Sequence, residues 1–123
     1  MIKGIVHNNR PLIPVIVGWT LGVQELIALV DTGFTGELKV SPDTATELGL
    51  EITHAEPVSL GNDQVVNMSA SLALVSMEGT KNVVNVLISQ GKPIIGVSLL
   101  RKFGYTLTID FKFNALELRS TST

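Results

Sequence analysis

Leu26-Ile27-Ala28-Leu29-Val30-Asp31-Thr32-Gly33-Phe34-Thr35-Gly36-Glu37-Leu38 is the stretch on which the reading of this chain turns. Five apolar residues run without interruption into Asp31, so a carboxylate stands where a buried strand emerges into a loop. An aspartate followed by Thr-Gly can also be a plain loop that hydrogen-bonds its own backbone, and the bare triplet recurs by chance. Its weight depends on what surrounds it.

Upstream, Leu12 to Val17 pairs with Gln24 to Val30 as two strands joined across Gly18-Trp19-Thr20-Leu21-Gly22, where the glycines offer the positive φ angles of a hairpin. Trp19 then lies near the tip and covers neighbouring surface. Downstream, Ser41-Pro42-Asp43 predicts a helix start: Ser caps, Pro is preset for the first turn, and Asp complements the positive end of the dipole. Gly49 stops this helix, and Ala45 and Leu48 share its inner face.

From Val58 to Val75 the chain reads as a long hairpin around Gly61-Asn62-Asp63-Gln64. Met68, Ala70, Leu72 and Leu74 supply an apolar face, opposite Asn67, Ser69, Ser71 and Ala73. A strand over Asn82 to Ile88 follows, then a short helix carrying Leu99, Leu100 and Phe103 that stops at Gly104, with Arg101 and Lys102 at its negative end. Tyr105 to Phe111 and Ala115 to Arg119 close the chain as strands. The expectation is a single domain over residues 1–123, mostly β and closed like a barrel, with two short helices and no internal repeat.

Composition narrows the function. The 123 residues are 45% hydrophobic and 16% charged, enough apolar material for one core. Net charge is −2 and no basic run exceeds Arg101-Lys102, which disfavours nucleic acid as a partner. With no cysteine, disulfide frameworks, thiolate zinc sites and cysteine proteases are excluded. His7 and His54 belong to no metal-ligand spacing, so neither metal nor cofactor is expected. The apolar segment Pro11 to Val23 is broken by Pro14, Gly18 and Gly22 and falls short of the ~20 residues of a membrane helix. No secretory pattern is apparent, and a cytoplasmic location is expected. Gly96-Val97-Ser98 lacks the final glycine of a hydrolase nucleophile elbow, Gly91-Lys92-Pro93 lacks the rest of a phosphate loop, and Asn67-Met68-Ser69 is an unused sequon in a cytoplasmic chain.

A second block, Pro93-Ile94-Ile95-Gly96 followed by Leu99-Leu100, gives the Asp-Thr-Gly triplet its context. Together they resemble the retropepsin-like aspartic proteases, in particular small bacterial and cyanobacterial members with Val-Asp-Thr-Gly-Phe-Thr-Gly at the active site. The likeness spans most of the chain. It implies that Asp31 is the catalytic carboxylate, that Thr32 ties the two active-site loops together, and that Gly33 leaves room for substrate. Ile94, Ile95 and Gly96 would back the loop. The tip Gly61, Asn62, Asp63 and Gln64 would act as a flap over an extended peptide, with Phe34 as apolar wall or as filler beneath the loop.

Hydrolysis of an amide by such a site uses two carboxylates sharing one proton, one to activate water and one to polarise the carbonyl. A single triplet in a one-lobe chain implies that the second Asp31 comes from another copy, so the resemblance predicts a homodimer with the site on its two-fold axis. The rival reading keeps the fold and the dimer as a peptide-binding module that does not cut. Two features depart from the viral pattern. Viral enzymes carry Ala-Asp after the triplet and Arg-Asn after the later glycine, an acid and an arginine that pair; here Phe34-Thr35 and Val97-Ser98 stand instead.

Overall fold

The computed structural model describes residues 1–59 and 62–121. Ten strands and two helices follow in the order β1 (Ile2–His7), β2 (Arg10–Trp19), β3 (Gly22–Val30), β4 (Leu38–Val40), α1 (Pro42–Leu48), β5 (His54–Ser59), β6 (Val65–Met77), β7 (Thr80–Ile88), β8 (Ile94–Ile95), α2 (Val97–Phe103), β9 (Tyr105–Asp110) and β10 (Ala115–Ser120). They form one sheet in the order β5-β6-β7-β4-β8-β3-β2-β1-β10-β9, and β6 also pairs with β2. That extra pairing, Ile16–Ser76, Val17–Val75 and Gly18–Leu74, closes a ring of strands from β2 round to β6. The mostly β, barrel-like expectation is met in this form. β5 and the β1-β10-β9 group extend the sheet beyond the ring.

Alternation explains which side chains fill the ring. Ile13, Val15 and Val17 of β2 and Leu26, Ala28 and Val30 of β3 point inward, against Leu38, Val40, Val84, Val86, Ile95 and Leu99. β-branched residues dominate because they suit the pleated backbone and fill short spans without losing much rotamer freedom.

Both helices form as their local chemistry dictates. Ser41 accepts from the Thr44 N–H at 3.2 Å, Pro42 occupies the first turn, and Gly49 ends α1 in the left-handed region at φ 75°. α2 starts at Gly96 without a side-chain cap and ends at Gly104, φ 71°. Ala45, Leu48, Leu99 and Leu100 are the buried faces.

Three expectations change. The β2–β3 hairpin is longer than predicted, with Trp19 paired to Gly22 across a turn of only Thr20 and Leu21. Neither Gly18 nor Gly22 takes a positive φ. Instead Leu21 N–H donates to the Leu48 carbonyl at 3.1 Å, so docking on α1 shapes the tip. In β6, Ala70 is buried and Met68 half-buried as predicted, but the face switches at Ser71: Ser71, Ala73, Val75 and Met77 are buried while Leu72 is exposed and Leu74 half-buried. β6 pairs with β2 at Leu74, Val75 and Ser76, and that register turns Val75 and Met77 into the ring. Finally β1, β4 and β8 arise where no strand was predicted. β1 is joined to β2 by Asn8-Asn9, both at positive φ (51° and 61°), a turn geometry matched to strand twist.

Candidate active site

β3 delivers Asp31 to the site. Its last residues pair in parallel with β8, Leu29 with Ile94 and Val30 with Ile95, and the Asp31 N–H continues that ladder to the Ile95 carbonyl at 3.0 Å. The sheet therefore fixes the Asp31 backbone to the second sequence block. Beyond Asp31 the chain turns sharply: Gly33 N–H donates to Asp31 Oδ1 at 2.9 Å, and Phe34 N–H to the Asp31 carbonyl at 3.1 Å. The local Asx-type turn considered from sequence is thus present, and it orients the carboxylate. Oδ2 accepts no hydrogen bond among the described residues. Asp31 is half-buried, whereas Thr32 and Gly33 are exposed.

The loop from Phe34 to Glu37 leans on Gly96. Val97 N–H donates to the Phe34 carbonyl and Gly96 N–H to the Glu37 carbonyl, each at 3.1 Å. A Cβ at Gly96 would stand 2.2 Å from the Gly36 carbonyl oxygen and 2.4 Å from that of Phe34. No real Cβ tolerates such contacts, so glycine is required by close approach. A Cβ at Gly36 would lie 2.4 Å from the Phe34 ring, so a side chain there would oblige that ring to shift.

Where the viral pattern has its acid and arginine this chain has neutral Thr35 and Val97, and Thr35 is held instead by the neighbouring Ser98. Ser98 Oγ donates a short hydrogen bond to the Thr35 carbonyl. Glu37 ends this loop as a charged residue. Its Oε1 accepts from Asn85 N–H (3.4 Å) and Nδ2 (3.3 Å), and its Oε2 lies 2.8 Å from Lys102 Nζ, an ion pair outside hydrogen-bond angles. Glu37 was not singled out from the sequence, and Lys102 only as a cation at the end of the second helix, since nothing in their spacing marks them as partners.

Two cavities open at this loop. One, of about 210 Å³, is lined by Gly33, Phe34, Thr35, Gly36, Glu56, Pro57, Val58, Ser59 and Leu87. The other, of about 220 Å³, is lined by Asp31, Gly33, Phe34, Lys39, Val58, Ser59, Met68, Leu87 and Ile94. β5 forms the facing wall of both. Phe34 lines both cavities and also packs its ring over Gly36 and Gly96, so it is wall and filler at once.

The predicted site residues divide. Asp31, Gly33, Phe34 and Ile94 come together at the second cavity, with buried Ile95 and Gly96 behind. Thr32 lines neither cavity. Gly61 lies outside the described residues. Asn62, Asp63 and Gln64 are exposed, with Gln64 N–H donating to Asn62 Oδ1 at 3.3 Å and Asp63 at φ 64°, and they too line neither cavity. Val58, Ser59, Met68, Leu87, Lys39 and Glu56 do line them and were missed as site residues. The pairing of Val58 with Val66 and Ser59 with Val65 brings the hairpin back over the cavities, which strand patterning alone does not reveal.

Among the described residues no cluster of three or more metal-ligating side chains occurs, and no helix is long and apolar enough to cross a membrane.

With this geometry in hand, comparison with solved structures defines the fold as retropepsin-like. The chain is similar to a retropepsin-like aspartic protease from Rickettsia conorii, with a TM-score of 0.66 at 18% identity, over 100% of this chain and 91% of that one. It is similar also to EIAV protease, solved in complex with the inhibitor HBY-793, with a TM-score of 0.58 at 16% identity, over 83% of this chain and 95% of that one. No family model and no curated protein matches the sequence.

Proposed function

We propose that the protein is an aspartic endopeptidase whose active site is completed by a second copy of the chain. The observation that carries this reading is Asp31: a carboxylate held by one backbone N–H, at the end of a strand, opening on a cavity large enough for peptide side chains. Among the described residues β5 is an edge strand that pairs with β6 alone, so its other edge offers main-chain groups to an extended peptide.

In this reading a water sits between Asp31 and its counterpart, which share one proton. The ionised carboxylate takes a proton from the water as its oxygen attacks the scissile carbonyl carbon. The protonated carboxyl meanwhile donates to the carbonyl oxygen. Collapse of the tetrahedral intermediate breaks the C–N bond as a proton passes to the leaving nitrogen. Thr32, exposed on the same loop, would join the two loops across the axis, and the hairpin tip from Gly61 to Gln64 would close over the substrate.

The test compares wild type with Asp31→Asn on a diverse peptide mixture, with products sequenced and folding monitored by circular dichroism. Hydrolysis should fall to background in the variant without loss of fold. Specific activity of the wild type should fall on dilution as sedimentation shows dissociation. Cleavage by Asp31→Asn, or a monomer of undiminished activity, would overturn the proposal. Wild type that binds peptides without cutting them would establish the binding-module reading instead.

A further inference from the structure

The two cavities share Gly33, Phe34, Val58, Ser59 and Leu87 yet differ in charge. Glu56 lines only the first, Lys39 only the one containing Asp31. Each charge is held in place. Glu56 Oε1 lies 2.8 Å from His54 Nε2, and His54 Nδ1 lies 2.8 Å from the Thr53 hydroxyl. The Thr53 hydroxyl also donates to the Ala70 carbonyl at 3.5 Å, and the ring engages one oxygen of the Glu56 carboxylate. Its second oxygen accepts no hydrogen bond among the described residues, and the side chain retains 35% of its accessible surface. Lys39 Nζ is anchored on the Gln90 carbonyl at 2.8 Å, which fixes an ammonium at the Asp31 cavity.

We propose that Glu56 makes the first cavity the seat of a basic side chain of an extended peptide, while in the second cavity the Lys39 ammonium offsets the Asp31 carboxylate and leaves no net charge to attract one. A Lys or Arg in the substrate would thereby set the register in which the chain lies across the cleft. The attraction acts at partly exposed groups, so it selects among peptides and leaves most of the affinity to apolar contacts and strand pairing. This inference rests on the peptide-cleft reading of the site, and the experiment separates the two.

A single Lys is walked along an otherwise uncharged peptide, alongside an uncharged parent and a matching Glu series. Wild type, Glu56→Gln and Glu56→Lys are scored by mass-spectrometric mapping of products, and by fluorescence anisotropy for binding of the same peptides. Wild type should cut at a fixed offset from Lys and favour the best Lys peptide over the parent by about 5-fold, the scale of one partly exposed charge contact. Glu56→Gln should lose that preference, and Glu56→Lys should transfer it to the Glu series. A cleavage position indifferent to Lys, or a preference retained by Glu56→Gln, would overturn the inference while leaving the protease standing. Lys-selective binding that depends on Glu56 without any cleavage would uphold the charge selection and remove the protease. Absence of both binding and cleavage would overturn both.

Discussion

The cleft has two walls built on opposite principles. The Asp31 wall is a loop tied down at almost every residue: Asp31 to Ile95, Gly33 to Asp31, Phe34 to Val97, Thr35 to Ser98, Glu37 to Gly96. Its closest approach is so tight that only glycine fits at position 96. The β5 wall is an edge strand with no fully buried side chain, held by main-chain pairing to β6 alone. The difference teaches where each demand is met. A reacting carboxylate needs a fixed position, because small displacements in catalytic geometry are costly. In the proposed function, a surface that receives varied peptides needs exposed main chain and exchangeable side chains, which β5 would provide.

The sharpest challenge to this contrast is Gly96→Ala set beside Ser59→Ala. The first drives a methyl into two carbonyl oxygens and should cost about 3 kcal/mol, since the paired loops would have to separate. The second removes a hydroxyl from the exposed end of β5 and should change stability by less than ~0.5 kcal/mol. Urea denaturation of both variants decides the matter, and equal costs would break the distinction between the walls.

Ser98→Ala is a finer probe, removing one tether from the Asp31 wall. Loss of the bond to the Thr35 carbonyl should destabilise by about 1 kcal/mol. If the loop needs that tether, peptide turnover should fall by more than the change in folded fraction explains. Steady-state rates measured well below the melting temperature supply the check.

The smallest effect is expected on neither wall. Tyr105 donates to Glu78 Oε1 at 2.8 Å, and burial, together with that carboxylate, pushes its phenol up to about 12 from the ordinary 10.0. Below pH 10 folded and unfolded chains both hold the proton, so the contribution to stability is complete. Between pH 10 and 12 the unfolded chain releases it first, and stability falls as pH rises. Tyr105→Phe should flatten the stability profile across this window, at a cost below about 1 kcal/mol near neutrality because solvent screens the partly exposed pair. Thermal unfolding from pH 8 to 12 measures both.

Much of this was legible in local chemistry. Ser41-Pro42 with Gly49, and Gly104 after Phe103, fixed both helices because caps and left-handed stops act over a few residues. The apolar run into Asp31 placed the carboxylate at a strand end for the same reason. Misreadings arose where distant segments decide. The Thr20-Leu21 turn depends on Leu48, and the inward face at the end of β6 on its pairing with β2. β4 and β8, of three and two residues, exist only because they find partners in β7 and β3, too short to show a period of their own.

The amino-acid sequence by itself thus determined the β-rich class, the two helices and the placement of Asp31-Thr32-Gly33 at a strand end, since each rests on propensity, capping or burial within one segment; that Ile94-Ile95-Gly96 backs the loop was implied by the family resemblance alone. Tertiary structure alone decided that Ser98 reaches Thr35, that Glu37 meets Lys102, and that Glu56 and Lys39 line adjoining cavities. Those contacts join residues remote along the chain, and only closing the ring of strands brings them within hydrogen-bond or cleft distance.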